Sequence, residues 1–183
     1  RKLGDTFILL KPLYHTGEMT HWLASLILGG PAVIQMGKIT PKVIFEAIHE
    51  ERGTFLMLLV PWVQDILTAL DTGEIKRKEY DLSSWRLVLF GAQPVPPPLV
   101  RRFKEKFPHV EYEVIYGLSE SAGPGCIHLA VGNEHKLGSI GKAGFNWEVR
   151  IVNEKGEDVK IEEIGEIIVK GNGVMKEYYK NPE

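Results

Sequence analysis

The chain has 183 residues, a formal net charge of −2, 44% hydrophobic and 25% charged residues. That is an ordinary globular composition, enough for one large domain or two small ones. It carries neither the basic surplus of a nucleic-acid binder nor an acidic tail. Cys126 is the single cysteine. No disulfide framework is possible within the chain, and nothing around Cys126 would activate a thiolate, so it reads as a small buried residue in a reducing, cytoplasmic setting. Lys76, Arg77 and Lys78 stand among acidic neighbours in TGEIKRKEYD and read as a solvated loop. The longest apolar run, FLMLLVPW from Phe55, is too short to span a bilayer.

Apolar runs of strand length alternate with helix-length amphipathic stretches. FILL at 7–10 reads as a strand, and EMTHWLASLILGG as a helix closed by Gly29 and Gly30. PAVIQM is a short strand. TPKVIFEAIHEERG is the clearest helix. Thr40 can cap it, Pro41 suits its first position and Gly53 ends it, with Val43, Ile44, Ala47 and Ile48 as the expected buried stripe. TFLMLLV is then a buried strand, and Pro61 opens another helix. RLVLFG and YEVIYG are strands on either side of the helix PPPLVRRFKEKFP. Continuous apolar strands separated by helices imply an α/β fold, a doubly wound and mostly parallel sheet with helices on both faces.

The pattern changes near 134–138. WEVRIVNEKGEDV and GEIIVKG alternate without an intervening helix, and Asn153 to Gly156 makes a turn. This predicts an α/β unit over 1–136, followed over 137–183 by part of a small antiparallel β-barrel-like unit. The last stretch reads as a short helix or turn. Neither end carries a closing element, so the chain reads as a piece of a longer protein.

Two strand ends carry chemistry. After LFGAQPV, Gly91 and Ala92 leave the backbone open to a flat ligand, and Gln93 offers amide donors and acceptors; tight packing alone would also call for small residues there. VIYGLSESAGPG, 114–125, follows an apolar run and enters a Gly/Pro-rich loop. Tyr116 offers an aromatic face for a base, Gly117 a close approach, Ser119 a hydroxyl for a phosphate, and Glu120 a hard oxygen for Mg²⁺. On residue types alone a turn with a capping Ser and an exposed Glu is equally good. His15, in KPLYHTGEM, precedes a helix, where a packed or capping role is common. His21, His49, His109, His128 and His135 lack metal-ligand spacing, and neither a GxSxG elbow nor a Walker loop is present.

YGLSE resembles the Tyr-Gly-x-Thr-Glu motif of the adenylate-forming enzymes, which include acyl-CoA synthetases and peptide-synthetase adenylation domains. PLYHTGEM is similar to that family's Pro-x-x-His segment, and DLSSWRLVLFGAQPV to its DLSSLR…SGAEPL segment. GSIGKAGFNWEVRIVN and GEIIVKGNGVMKEYYKNPE resemble its later motifs, in matching order. The resemblance implies activation of a carboxylic acid, most simply a fatty acid, by ATP with Mg²⁺, and transfer of the acyl group to coenzyme A. Its partners would be these small molecules, with no nucleic acid and no transmembrane segment. It implies that Gly91, Ala92, Gln93, Val114, Ile115, Tyr116 and Gly117 border the adenine. Ser119 would meet the α-phosphate, Glu120 would hold Mg²⁺, and His15 would stand near the carboxylate. His15, Gly91, Ser121 and Ala122 would shape the acyl pocket, and Ser119, Glu120 and His15 would be the catalytic set. Ser119 replaces the usual Thr, and Phe90 stands where Ser or Gly is common. The family's phosphate loop, ribose-binding Asp and catalytic Lys would lie outside the chain, which predicts that this piece alone does not catalyse adenylation. Two alternatives remain: an amino-acid adenylation domain of a peptide synthetase, and a non-catalytic nucleotide-binding interaction module.

Overall fold

The computed structural model describes residues 2–181. Nine strands and four helices follow in the order β1 (Phe7–Leu9), α1 (Thr16–Leu28), β2 (Ala32–Ile34), α2 (Pro41–Glu50), β3 (Phe55–Leu59), α3 (Val60–Thr72), β4 (Leu87–Gly91), α4 (Pro97–Lys106), β5 (Glu111–Leu118), β6 (Gly123–Leu129), β7 (Lys142–Ala143), β8 (Trp147–Val152) and β9 (Glu166–Gly171). A seven-stranded sheet has the order β2-β1-β3-β4-β5-β6-β7. Its first five strands are parallel and its last two antiparallel. β8 and β9 form a separate antiparallel pair. The doubly wound α/β architecture expected from the alternation is therefore present.

Strand periodicity divides the core. On one face Ile8, Leu56, Leu58, Val88, Phe90, Tyr112 and Val114 pack with the apolar stripes of α2, α3 and α4. On the other, Phe7, Leu9, Phe55, Met57, Leu87 and Leu89 meet Trp22, Ala24 and Leu28 of α1. Neighbouring residues of one strand thus serve different layers, as a period of two requires.

Local signals behave as their chemistry dictates. Thr40 Oγ1 accepts the Val43 N–H at 3.3 Å, with Pro41 at the first helical position. The α1 helix closes on Gly29, whose φ of 65° is left-handed. The turn at 153–156 closes with the Gly156 N–H on the Asn153 carbonyl at 2.9 Å.

Two expectations are corrected. The buried stripe of α2 is Ile44, Phe45, Ala47 and Ile48, with Val43 only partly covered. Phe45 is drawn in by edge-to-face contacts with Tyr80 and Phe107, which lie outside the helix and so outside its periodicity. The Gly/Pro-rich stretch after the motif is a strand, β6, and not a loop. Gly117 faces Pro124 and Tyr116 faces Cys126, so Gly125 is the extra residue of a bulge.

The amino ends of three strands are tied by one buried carboxylate. Asp5 is fully buried. It accepts the Lys2 N–H at 2.8 Å and the Thr54 hydroxyl at 3.0 Å, and binds the Arg86 guanidinium through Nε at 2.9 Å and through Nη2. Thr54 precedes β3 and Arg86 precedes β4. Burial pushes the Asp5 carboxyl up, but Arg86, the Lys2 N–H and Thr54 together outweigh it and hold it below the usual range. A carboxyl lowered on folding adds stability above its unfolded pKa, and that stability is lost as the pH falls through the folded value. Asp5→Asn should destabilise the fold by about 3 kcal/mol at neutral pH. In denaturant titrations, the gap from wild type should narrow as the pH drops below about 4.

Candidate functional site

A cavity of about 580 Å³ opens at the carboxyl ends of β4 and β5. Ala92, Gln93, Val114, Ile115, Tyr116 and Gly117 all line it. The structure therefore brings six of the residues the sequence singled out into one cavity, whereas His15, Gly91, Ser119, Glu120, Ser121 and Ala122 are not among its lining residues. Ligands in open α/β sheets bind at such strand ends, and the volume suits a nucleotide-sized molecule. Leu137, Gly138, Ser139 and Ile140 also line the cavity, the last three from the start of the GSIGKAG motif.

Backbone geometry marks both corners. Ala92, after β4, has φ 67°, and Ala122, after the 3-10 turn Ser119–Ser121, has φ 51°. Left-handed alanines are uncommon, and such strain concentrates at functional sites. Gly91 is buried, and a Cβ there would stand 2.9 Å from Ile115 Cγ1 and 3.2 Å from Met57 Cε. The absence of a side chain lets β4 and β5 close on each other at the rim.

The turn after Tyr116 is held by Ser121. Its hydroxyl is buried, donates towards the Leu118 and Gly123 carbonyls at 2.9 Å each, and accepts the Leu118 N–H at 3.2 Å. Ser121 is thus a lock for the turn, and its hydroxyl is fully engaged. Ser119, by contrast, is exposed. The Glu120 carbonyl accepts the Met175 N–H at 2.7 Å, and its Oε1 accepts the Tyr178 hydroxyl at 2.5 Å. Tyr178 holds the Glu120 carboxyl below its ordinary range, and Glu120 in turn pushes the Tyr178 phenol up. The final segment therefore folds back onto the motif, while its Pro182 and Glu183 lie outside the described residues.

No group of three or more His, Cys, Asp and Glu side chains that could hold a metal occurs among the described residues. A single, partly exposed carboxylate suits Mg²⁺, which binds proteins through one or two carboxylates and completes its octahedron with water and phosphate. The donor set at Glu120 fits that ion and would not fit zinc.

His15 caps α1. Its Nδ1 accepts the Gly17 N–H at 3.2 Å. That assigns the proton to Nε2 in the neutral ring. Burial, with Lys11 nearby, pushes its pKa below the usual histidine value against the pull of Glu18. Gly17 touches Met57 Sδ at 3.3 Å from its would-be Cβ, and Gly91 touches the same side chain. Met57 thus links His15's turn to the β4 rim, a contact that sequence spacing cannot show. Beneath it, Glu18 is fully buried; its Oε1 accepts the Leu10 and Lys11 N–H groups at 3.1 and 2.9 Å and pairs with Lys11 Nζ at 3.2 Å. Burial pushes Glu18 up, yet His21, Lys11 and these amides hold it below the usual range.

The AMP-binding enzyme family matches residues 1–179. The chain belongs to that family. Among curated relatives, the chain is 33% identical over 180 residues to the peroxisomal OPC-8:0-CoA ligase 1 of Arabidopsis thaliana, covering 97% of this chain and 32% of the relative. It is 32% identical over 177 residues to a feruloyl-CoA synthase of an Amycolatopsis species, covering 96% and 34%. Among solved structures, o-succinylbenzoate coenzyme A synthetase of Bacillus subtilis in complex with ATP and magnesium ion superposes with a TM-score of 0.79 at 26% identity, covering 94% of this chain and 34% of that one. The chain spans about a third of the length of the curated relatives it matches. No helix among the described residues is long and apolar enough to cross a membrane.

The two serines of the motif separate structure from chemistry. Ser121→Ala should lower stability by about 1–2 kcal/mol, because it strands the Leu118 N–H. Ser119→Ala should leave the unfolding midpoint nearly unchanged. Thermal unfolding of both variants checks this.

Proposed function

We propose that this chain is the nucleotide-binding part of an acid–thiol ligase, which activates a carboxylic acid with ATP and passes the acyl group to coenzyme A. The observation that carries the reading is the cavity lined by residues of both motif strands, Tyr116 among them, with Ser119 and Glu120 next in the chain after its lining residue Leu118. Tyr116 and the open backbone at Ala92 receive the base. Ser119 is exposed and enters the turn through its backbone carbonyl, which accepts the Ala122 N–H at 3.0 Å; its hydroxyl donates to a phosphate oxygen. Mg²⁺ held at Glu120 would neutralise phosphate charge, which attack of a carboxylate on a phosphate requires. His15 presents a neutral Nε2–H, a donor suited to orienting the substrate carboxylate without competing with it for a proton.

We assign a fatty acid as the leading substrate. What supports it is the apolar packing beside the turn that bears His15: Met57 and Gly91 are buried against each other and against the partly buried Ile115. An aryl acid is the second choice, favoured by the name of the feruloyl-CoA relative. An amino-acid substrate is disfavoured by Glu18. The one carboxylate soon after His15 is buried and already committed to two backbone amides and Lys11, so it offers nothing to a substrate amine.

The test is acid-dependent ATP–pyrophosphate exchange by the full-length protein. Glu120→Gln should lower the exchange rate about a hundredfold or more, and Ser119→Ala about tenfold. Tyr178→Phe frees Glu120 and should lower it far less. Exchange unaffected by Glu120→Gln would refute the assignment.

A further inference from the structure

After β9 the chain crosses the turn that carries Glu120, and two glycines bring it close. A Cβ on Gly171 would stand 2.6 Å from Trp147 Cε3. One on Gly173 would stand 2.7 Å from the Ser121 carbonyl oxygen and 2.9 Å from the Trp147 ring. The Val174 N–H then donates to the Gly171 carbonyl at 3.1 Å and makes a turn. From there the segment holds one residue twice. The Met175 N–H donates to the Glu120 carbonyl at 2.7 Å, and the Tyr178 hydroxyl donates to Glu120 Oε1 at 2.5 Å. The Glu120 carboxylate also accepts its own backbone N–H. Tyr178 is 51% exposed, and Glu120 is partly exposed. A hydrogen bond between such groups adds little to stability, because water serves both ends nearly as well. Holding both side chains in one rotamer also costs entropy. The contact is explained better by what it does to the carboxylate than by what it adds to the fold.

Resting on the metal reading of Glu120 given above, we infer that Tyr178 is a positioning residue that orients the Glu120 carboxylate for the metal ion of the bound nucleotide. A partly exposed glutamate samples many rotamers, and only some of them point the carboxylate one way. Mg²⁺ demands near-ideal octahedral geometry, so a wandering ligand serves it poorly. A donor on one carboxylate oxygen fixes the plane of the group and leaves the other oxygen for the ion. A phenol suits this task because it is neutral. A Lys or Arg in its place would pair with Glu120 and repel the ion. The Met175 bond fixes the backbone of the same residue, so Glu120 is held at both ends of its side chain. The holding arm is rooted in the small sheet, where Trp147 of β8 pairs with Gly171 of β9. No residue of β8 or β9 lines the cavity at the ends of β4 and β5. The small sheet acts on the site through Tyr178 instead.

The test uses the full-length protein, without acid substrate, and calorimetry of ATP binding at saturating Mg²⁺ and in EDTA. The ratio of the two affinities is the metal's contribution. Tyr178→Phe removes one oxygen from a half-exposed ring, so its unfolding midpoint should stay near wild type. It should cut the metal's contribution about tenfold, the low end for a partner of a metal ligand. Its affinity for ATP in EDTA should stay within about twofold of wild type. Glu120→Gln should cut the metal's contribution at least as far, and adding Tyr178→Phe to it should change nothing more, because the hydroxyl acts only through Glu120. Tyr179→Phe, at the exposed neighbour, should match wild type. Equal losses with Mg²⁺ and in EDTA would mean that Tyr178 only packs the segment, and would overturn the inference. An unchanged metal contribution in Tyr178→Phe would overturn it too. So would an increased one, the mark of a hydroxyl that masks the carboxylate. If Glu120→Gln itself keeps the metal's contribution, the metal reading of Glu120 falls first and this inference with it.

Discussion

The antiparallel pairing of β6 back onto β5 is the constraint on which the site depends. The preceding strands are parallel and end in open loops. Here the chain reverses within four residues, locked by Ser121, and returns along the strand it has just left. A bulge at Gly125 absorbs Pro124, which has no N–H to give to the ladder. Because the reversal is tight, Tyr116, Ser119 and Glu120 stay within a few residues of one strand end. A longer crossover would scatter them. The same bulge lets Val169 of β9 come in over Gly125, where a Cβ would stand 2.8 Å from Val169 Cγ1. The small β8–β9 sheet is thus seated on the site's own strand.

Charge is distributed with two different purposes. Asp5, paired with the partly exposed Arg86, and Glu18, paired with the buried Lys11, are buried carboxylates that also accept backbone N–H groups. They fix where strands begin and where the turn bearing His15 leaves the sheet. Glu120 is the opposite case: it is partly exposed, it accepts the Tyr178 hydroxyl and its own backbone N–H, and no cation pairs with it among the described residues. A carboxylate left without a cation at a strand end can recruit one, whereas Asp5 and Glu18 cannot. This separation of structural from available carboxylates supports Glu120 as the metal-binding group more directly than the motif does.

Much of the fold was legible because its causes are local. Hydrophobic periodicity, Pro41 and Pro61 at helix starts, and glycines after helix ends are short-range signals. Where contacts from elsewhere intervened, reading failed: Phe45 is buried by Tyr80 and Phe107, and Gly123–Leu129 becomes a strand despite two glycines and a proline because β5 offers a partner. The site behaved likewise. Tyr116, Ser119 and Glu120 stood out as an ordered set. Met57, Tyr112 and His128 did not, since an interior Met on a buried strand and a lone His look like ordinary core.

The sequence by itself determined the alternation of strands and helices, the caps that start and stop them, and the ordered motifs that place the chain in its family. Those are properties of neighbouring residues, set by backbone sterics and by periods of two and 3.6. Only the tertiary structure decided which face each strand residue serves, which serine is a lock and which is exposed, and that His128 and Tyr112 join the cavity lining. Each of these depends on strand order and register, and a shift of one residue in the β5–β6 pairing would turn His128 to the other face of the sheet.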